Sequence, residues 1–246
     1  MVQRKKLALT FVFLLPVFYF LLTRSFILDR VLDFLGPGIV LRCYAKPFLT
    51  WALAFICLFI LPLMIVMTKC EVRSTKYEVR KNKKIALEEA GLAWPKWSWP
   101  AGVLTVLGVG VMILSAWTVS KRPDFQMEYP LCPLALNSWQ GAVPYFFGYL
   151  VYYAAWEFYF RGFVQLYLAK EIGASWAMFW QVILSTVIHW GKPGLEFWGA
   201  VPGGIFFGYL ALATKSVLPS LFLHVQLGFL TDALCRINAV NFLYRP

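Results

Sequence analysis

The chain has 246 residues and a formal net charge of +11, with 60% hydrophobic, 18% aromatic and only 14% charged residues. A soluble globule carries about a quarter charged residues, so this composition excludes one and puts the chain in a bilayer. The positive charge does not describe a nucleic-acid-binding protein. It gathers beside apolar runs, and no folded basic domain is left over to hold a duplex.

In lipid a backbone must satisfy its own hydrogen bonds, and roughly 20 apolar residues cross about 30 Å of hydrocarbon. The fold class is therefore all-α, a polytopic transmembrane helix bundle of about 7 spans (6 to 8) plus an interfacial helix. Residues 7–22 read as the first span and tolerate Pro16 as a kink. A link containing Gly36-Pro37-Gly38 leads to a second span over 48–67. Arg4, Lys5 and Lys6 precede the first span, and Lys69, Arg73, Lys76, Arg80, Lys81, Lys83 and Lys84 follow the second. The positive-inside rule places both clusters in the cytoplasm, which puts the N-terminus inside and suggests the inner membrane of a bacterium. No small-x-small cleavage site precedes Thr23 and Arg24, so the first segment reads as an uncleaved anchor.

Residues 69–99 start charged, pass through Ile85-Ala-Leu-Glu-Glu-Ala-Gly-Leu, and end with Trp94, Trp97 and Trp99 around Pro95 and Pro100. That pattern predicts a short helix on the membrane surface with aromatic anchors. A third span covers 101–119, and 121–138, with Pro123, Pro130 and Pro133, is a polar connection on the outer side. Four more helices follow, over 140–170, 174–189, 198–213 and 219–236, which divides the chain into 1–138 and 139–246. There is no internal repeat. Cys43, Cys57, Cys70, Cys132 and Cys235 form no C-x-x-C pair, so neither a disulfide framework nor a cysteine metal site is expected.

Nearly every ionisable side chain at membrane depth lies in the second part, and such groups are expensive in lipid and usually functional. Glu157 stands four residues before Arg161, the favourable order for an ion pair on one helical face. His189 ends the next helix. At about 1.5 Å per residue, Glu157 and His189 lie roughly 20 and 24 Å from the turn joining their helices, so they are expected to face each other near mid-membrane. Gly191-Lys192-Pro193-Gly194 then breaks the helix, and irregular backbone at this depth is tolerated where it lines a wet cavity. Glu196 follows the break, either carried into that cavity or paired with Lys192 at the outer rim. His224, the chain's other histidine, sits one turn beyond Pro219, only about 12 Å from Ser216. To meet the rest it needs tilt or a helix that starts deep in the membrane.

These residues resemble a known family, the CAAX-protease and bacteriocin-processing membrane proteins, also called the Abi or self-immunity family. Glu157-Phe-Tyr-Phe-Arg161-Gly162 resembles the family's Glu-Glu-x-x-x-Arg-Gly, and His189 its Phe-x-x-x-His histidine. Gly204-Ile-Phe-Phe-Gly208, on through Pro219 to His224, resembles its last motif. The similarity covers about residues 140–235 and implies an intramembrane endopeptidase in which a glutamate and a histidine activate water and the last histidine holds an oxyanion. Three positions depart from the pattern. Trp156 stands where the family has its first glutamate, Gly228 where an asparagine is usual, and Ser185 where Phe is common. The run His189-Trp-Gly-Lys-Pro-Gly-Leu-Glu196 resembles a branch whose first motif also reads Trp-Glu, so Glu157 or Glu196 supplies the carboxylate, and Asp232 is a candidate to replace the asparagine.

The catalytic candidates are thus Glu157, Arg161, His189, His224 and Glu196, with no cofactor. A carboxylate takes a proton from water beside His189, His224 stabilises the oxyanion, and Arg161 fixes the glutamate. Three alternatives remain open. Zinc held by Glu157, His189 and His224 could do the chemistry, the polar residues could serve a proton- or ion-coupled transporter, or the site could have lost its base and become a membrane scaffold. The expected partners are the lipid bilayer and an apolar or prenylated peptide or protein substrate, with no nucleic acid.

Overall fold

The computed structural model describes residues 10, 14–23, 30, 32–34, 38–68 and 76–243. Among these every regular element is a helix. Chain order gives α1 (Leu14–Thr23), then α2, built from Ile39–Ala54, a π-helical turn Phe55–Ile60 and Leu61–Thr68. The amphipathic α3 (Lys76–Glu89) leads to α4 (Trp99–Val119) and the short α5 (Pro123–Glu128). A 3-10 turn (Pro133–Asn137) precedes α6 (Trp139–Glu157), which continues without a break into a π-helical stretch, Phe158–Tyr167. The bundle closes with α7 (Ala174–Val187), α8 (Gly194–Thr214) and α9 (Leu218–Leu243).

Four of the described helices are long and apolar enough to cross a membrane: Cys43–Met67, Trp99–Val119, Gly194–Thr214 and Leu218–Ala239. Leu14–Thr23 and Ala174–Val187 are apolar but shorter. The expectation of about 7 spans is not carried in full. The fourth expected span, in α6 and its π extension, contains Glu157, Arg161, Gln165 and a run of tyrosines, which lower its hydropathy. The second span starts earlier than expected, because its helix begins at Ile39. The surface helix runs over Lys76–Glu89, ahead of exposed Trp94, Trp97 and Trp99. Trp176 is exposed at that same end, while Trp117, Trp139, Trp190 and Trp198 are exposed at the other ends of their helices. Two aromatic belts of this kind mark the two interfaces of a bilayer. The basic cluster at Arg4, Lys5 and Lys6, and Lys69 and Arg73 in the second, lie outside the described residues.

The π stretch is the centre of the packing. All its residues except Leu166 are buried, enclosed by α2, α3, α7 and α8. A helix buried all round has no lipid-facing side, so its polar residues need protein partners. Gln165 donates to the carbonyl of Gly208 at 2.8 Å, and Gln181 of α7 donates to that of Gly204 at 2.9 Å. The small face of α8 lets these side chains reach its backbone, the usual means of close helix approach in membranes. At the end of α8, Lys215 turns left-handed (φ 53°), Ser216 donates to the carbonyl of Ala93 at 2.6 Å, and Val217 to that of Gly91 at 3.1 Å. Thr214 and Ser216 are fully buried, so α9 starts inside the protein. This supplies the deep helix start that His224 needs.

One expectation is overturned outright, because Cys43 and Cys132 form a disulfide across 89 residues of sequence. Their spacing gives no local signal. They meet only because α2 packs along α6 and the 3-10 turn, where Trp51, Tyr145 and Tyr149 form an aromatic cluster beside Cys132.

Gly162 shows how tightly the central stretch is held. A Cβ there would sit 2.5 Å from the carbonyl oxygen of Ala90 and 3.1 Å from the Phe158 ring. Overpacking of this kind typically costs about 1–3 kcal/mol. Gly162→Ala should therefore unfold at clearly lower temperature than the parent protein in detergent, as read by a thermal scan.

Candidate active site

Glu157 is wholly buried at the end of α6. Its Oε1 lies 3.3 Å from Nη1 of Arg161, one turn on in the π stretch, and accepts from Nδ1 of His224 on α9 at 2.7 Å. The expected Glu157–Arg161 pair is present. One nearby ring completes the surroundings, that of Phe207, 5.4 Å from the guanidinium and 5.3 Å from the His224 ring.

Glu157 and His189 do not face each other as expected. The depth arithmetic treats the helix as α throughout, whereas beyond residue 157 the chain makes i→i+5 turns that alter which face each residue presents. The residue turned toward His189 is Trp156, whose ring centre lies 5.2 Å from the imidazole, edge on. Trp156 also meets the His224 ring edge on at 6.3 Å. The indole thus fills the ground next to both histidines.

His189 lies just past α7, in a turn closed by Lys192 N–H to the His189 carbonyl at 3.0 Å. Its Nδ1 sits 2.5 Å from the carbonyl oxygen of Ser185 and must donate to it, which leaves Nε2 with a free lone pair. Ser185, which replaces the common Phe, is buried and donates its own hydroxyl to Val182.

Glu196 stands in the first turn of α8, after the Gly191–Gly194 break. Lys192 does not pair with it. The lysine reaches Glu128 of α5 at 2.5 Å and the Tyr129 hydroxyl at 3.0 Å. Tyr129 in turn donates to Glu196, with both carboxylate oxygens 2.8 Å away. Burial and the Glu196 carboxylate push the Tyr129 phenol well above its usual range, so it remains a donor at neutral pH. The connection that carries Glu128 and Tyr129 contributes no membrane-depth signal, and sequence reasoning missed both residues.

His189, His224, Glu196, Arg161 and Trp156 line one cavity of about 1080 Å³. Glu128, Tyr129 and Lys192 sit at the end of it nearest the connection, and parts of α1, α2 and α4 supply further wall. Glu157 does not line the cavity. Asp232 does not either. It is fully buried and accepts from the Tyr145 hydroxyl on α6, so it does not occupy the place of the asparagine.

The residues do not fit a zinc site of Glu157, His189 and His224. Oε1 of Glu157 is taken by His224 Nδ1 and Arg161, Glu157 does not line the cavity that both histidines line, and Trp156 packs against both rings. Among the described residues no three His, Cys, Asp or Glu side chains come together as a metal ligand set.

Residues 137–230 match the family model described as Rce1-like, type II CAAX prenyl endopeptidase Rce1-like. No curated protein and no solved structure matches the chain. All five candidate residues lie inside the matched segment, whereas Glu128, Tyr129 and the Cys43–Cys132 disulfide lie outside it. Through residues 137–230 this integral membrane protein is similar to the CAAX prenyl endopeptidase family.

Proposed function

We propose that the protein is a glutamic-type intramembrane endopeptidase in which Glu196 and His189 activate water while Glu157 stands behind His224 as its positioning residue. The observation that carries this reading is the division of the two glutamates. Glu196 lines the cavity with both histidines, whereas Glu157 is sealed from it and bonded to His224 and Arg161.

A water molecule in the cavity gives a proton to the Glu196 carboxylate, with His189 Nε2 holding it by a second hydrogen bond. Its oxygen bonds to the peptide carbonyl carbon, and the carbonyl π electrons move onto oxygen. His224 acts here as the imidazolium paired with Glu157 at Nδ1, so its Nε2–H is the donor left to meet that oxyanion. The C–N bond then breaks and the leaving amine takes the proton from Glu196. Arg161 fixes Glu157 and so the imidazole. The substrate that suits an apolar cavity among membrane helices is an apolar or prenylated peptide tail held in the bilayer.

The cavity's polar end also has a side. The Cys43–Cys132 disulfide lies at the end that carries Glu128 and Tyr129, and disulfides persist in oxidising compartments. The basic part of α3, over 76–84, lies at the opposite end, beyond α2. We therefore place the N-terminus in the cytoplasm, the connection outside, and the membrane as a bacterial inner membrane. The scissile bond is then presented at the outer face.

Cleavage of membrane-tethered peptides by purified protein tests the chemistry. Glu196→Gln and His189→Ala should each lose about 10²–10⁴-fold in kcat without loss of thermal stability. Glu157→Gln should lose activity and stability together, because it strips a buried arginine of its partner. A Glu196→Gln variant that cuts at the parent rate would overturn the assignment of the base. No cleavage of any peptide by folded parent protein would make the chain a scaffold.

Orientation is read in intact cells with a membrane-impermeant maleimide. Met127→Cys, at an exposed site on α5, should label, and Lys84→Cys, exposed on α3, should label only after the membrane is opened. The reverse pattern would turn the cavity toward the cytoplasm.

A further inference from the structure

Tyr153 lies on α6, one turn before Glu157, and lines the cavity. Its ring packs tilted against the His224 imidazole, with centres 4.3 Å apart and planes at 40°. His224 is therefore held on two sides by one helix, at Nδ1 by Glu157 and across its face by Tyr153. The neighbouring phenols have acceptors, since Tyr145 donates to Asp232 and Tyr129 to Glu196. The Tyr153 hydroxyl has no hydrogen-bond partner among the described residues, although the residue faces a space lined by charged and polar groups.

The position of that hydroxyl is set by Gly228. This glycine is buried on α9 one turn after His224, and a Cβ added there would overlap the Tyr153 hydroxyl and the ring carbons beside it. Only bare backbone leaves room for the phenol. The hydroxyl consequently sits against the α9 wall about one helical turn, roughly 5 Å, from His224. A phenol keeps its proton at neutral pH, and its two χ angles make it a rigid donor.

We propose that Tyr153 is a catalytic residue, whose O–H donates to the oxyanion beside His224 Nε2, and that Gly228 is a glycine because any side chain would displace it. The assignment rests on the endopeptidase reading above and adds a second oxyanion donor to it. The carbonyl oxygen would receive one hydrogen bond from the imidazole and one from the phenol as charge builds on it. Neither donor has to reorganise, because the Glu157 bond and the Gly228 contact fix them beforehand.

Tyr153→Phe keeps the ring, the packing against His224 and the fit over Gly228, and removes one oxygen atom. In the peptide-cleavage assay we expect it to lower kcat about 10²–10³-fold, as loss of an oxyanion donor does, with KM within about twofold and thermal stability unchanged. Gly228→Ala should give a similar kcat loss by pushing the phenol away. The double variant should be little worse than either alone, because the two changes remove the same hydrogen bond. Should Gly228→Ala fail to fold, Tyr153→Phe decides alone. A parent protein that cuts, with Tyr153→Phe cutting at the same kcat, overturns this assignment and leaves the endopeptidase reading standing. A Tyr153→Phe effect confined to KM also overturns it, since it would mark a substrate-binding contact. If the parent cuts no peptide, the endopeptidase reading falls and the assignment falls with it.

Discussion

A single buried carboxylate fixes the register of this bundle. Glu157 has no exposure and does not line the cavity, so its charge must be met by protein. Arg161 and His224 meet it, one from the same helix and one from the last helix of the chain. Removing one partner of a buried ion pair typically costs about 3–5 kcal/mol, far more than an exposed pair contributes. α6 and α9 therefore cannot slide or rotate past one another without exposing an unpaired charge. The packing of Tyr153 against His224 and the bare Gly228 follow from that register.

The same constraint separates the two glutamates by role. A carboxylate already holding a guanidinium and an imidazole has one remaining oxygen, and that oxygen has no hydrogen-bond partner and no access to the cavity. Glu196 differs in each respect. It sits in the first turn of a helix, where the helix dipole favours negative charge, lines the cavity, and is held by a phenol instead of a full countercharge. Trp156 packs edge on against both histidine rings. Glu196 lines the cavity together with the indole and both histidines.

Much of this was legible in the sequence because membrane burial makes polar residues conspicuous. Glu157, Arg161, His189 and His224 stand out of apolar runs, and the Glu157–Arg161 spacing reads directly as an ion pair. The Gly191–Gly194 break and Glu196 after it also sit where the sequence puts them. What could not be read depends on contacts between distant segments. The Glu157–His224 bond joins residues 67 apart, the Tyr129–Glu196 bond likewise, and the disulfide joins residues 89 apart. The π geometry over 158–167 left no trace in the pattern of apolar residues, and neither did the contact of Trp156 with His189. Gly228 reads in sequence as a missing side chain, whereas in the fold it is the space that Tyr153 fills.

The claim on which most depends is that Glu157 orients His224 and does not meet water. The chain contains only two histidines, so ¹⁵N-histidine NMR of the protein in detergent can follow both rings individually. We expect the His224 Nδ1–H proton to resonate far downfield, as a proton shared with a carboxylate does, and to lose that shift in Glu157→Gln while the His189 signals stay in place. His224 signals identical in the parent and in Glu157→Gln would mean that the carboxylate does not hold the imidazole, and the division of roles between Glu157 and Glu196 would have to be abandoned.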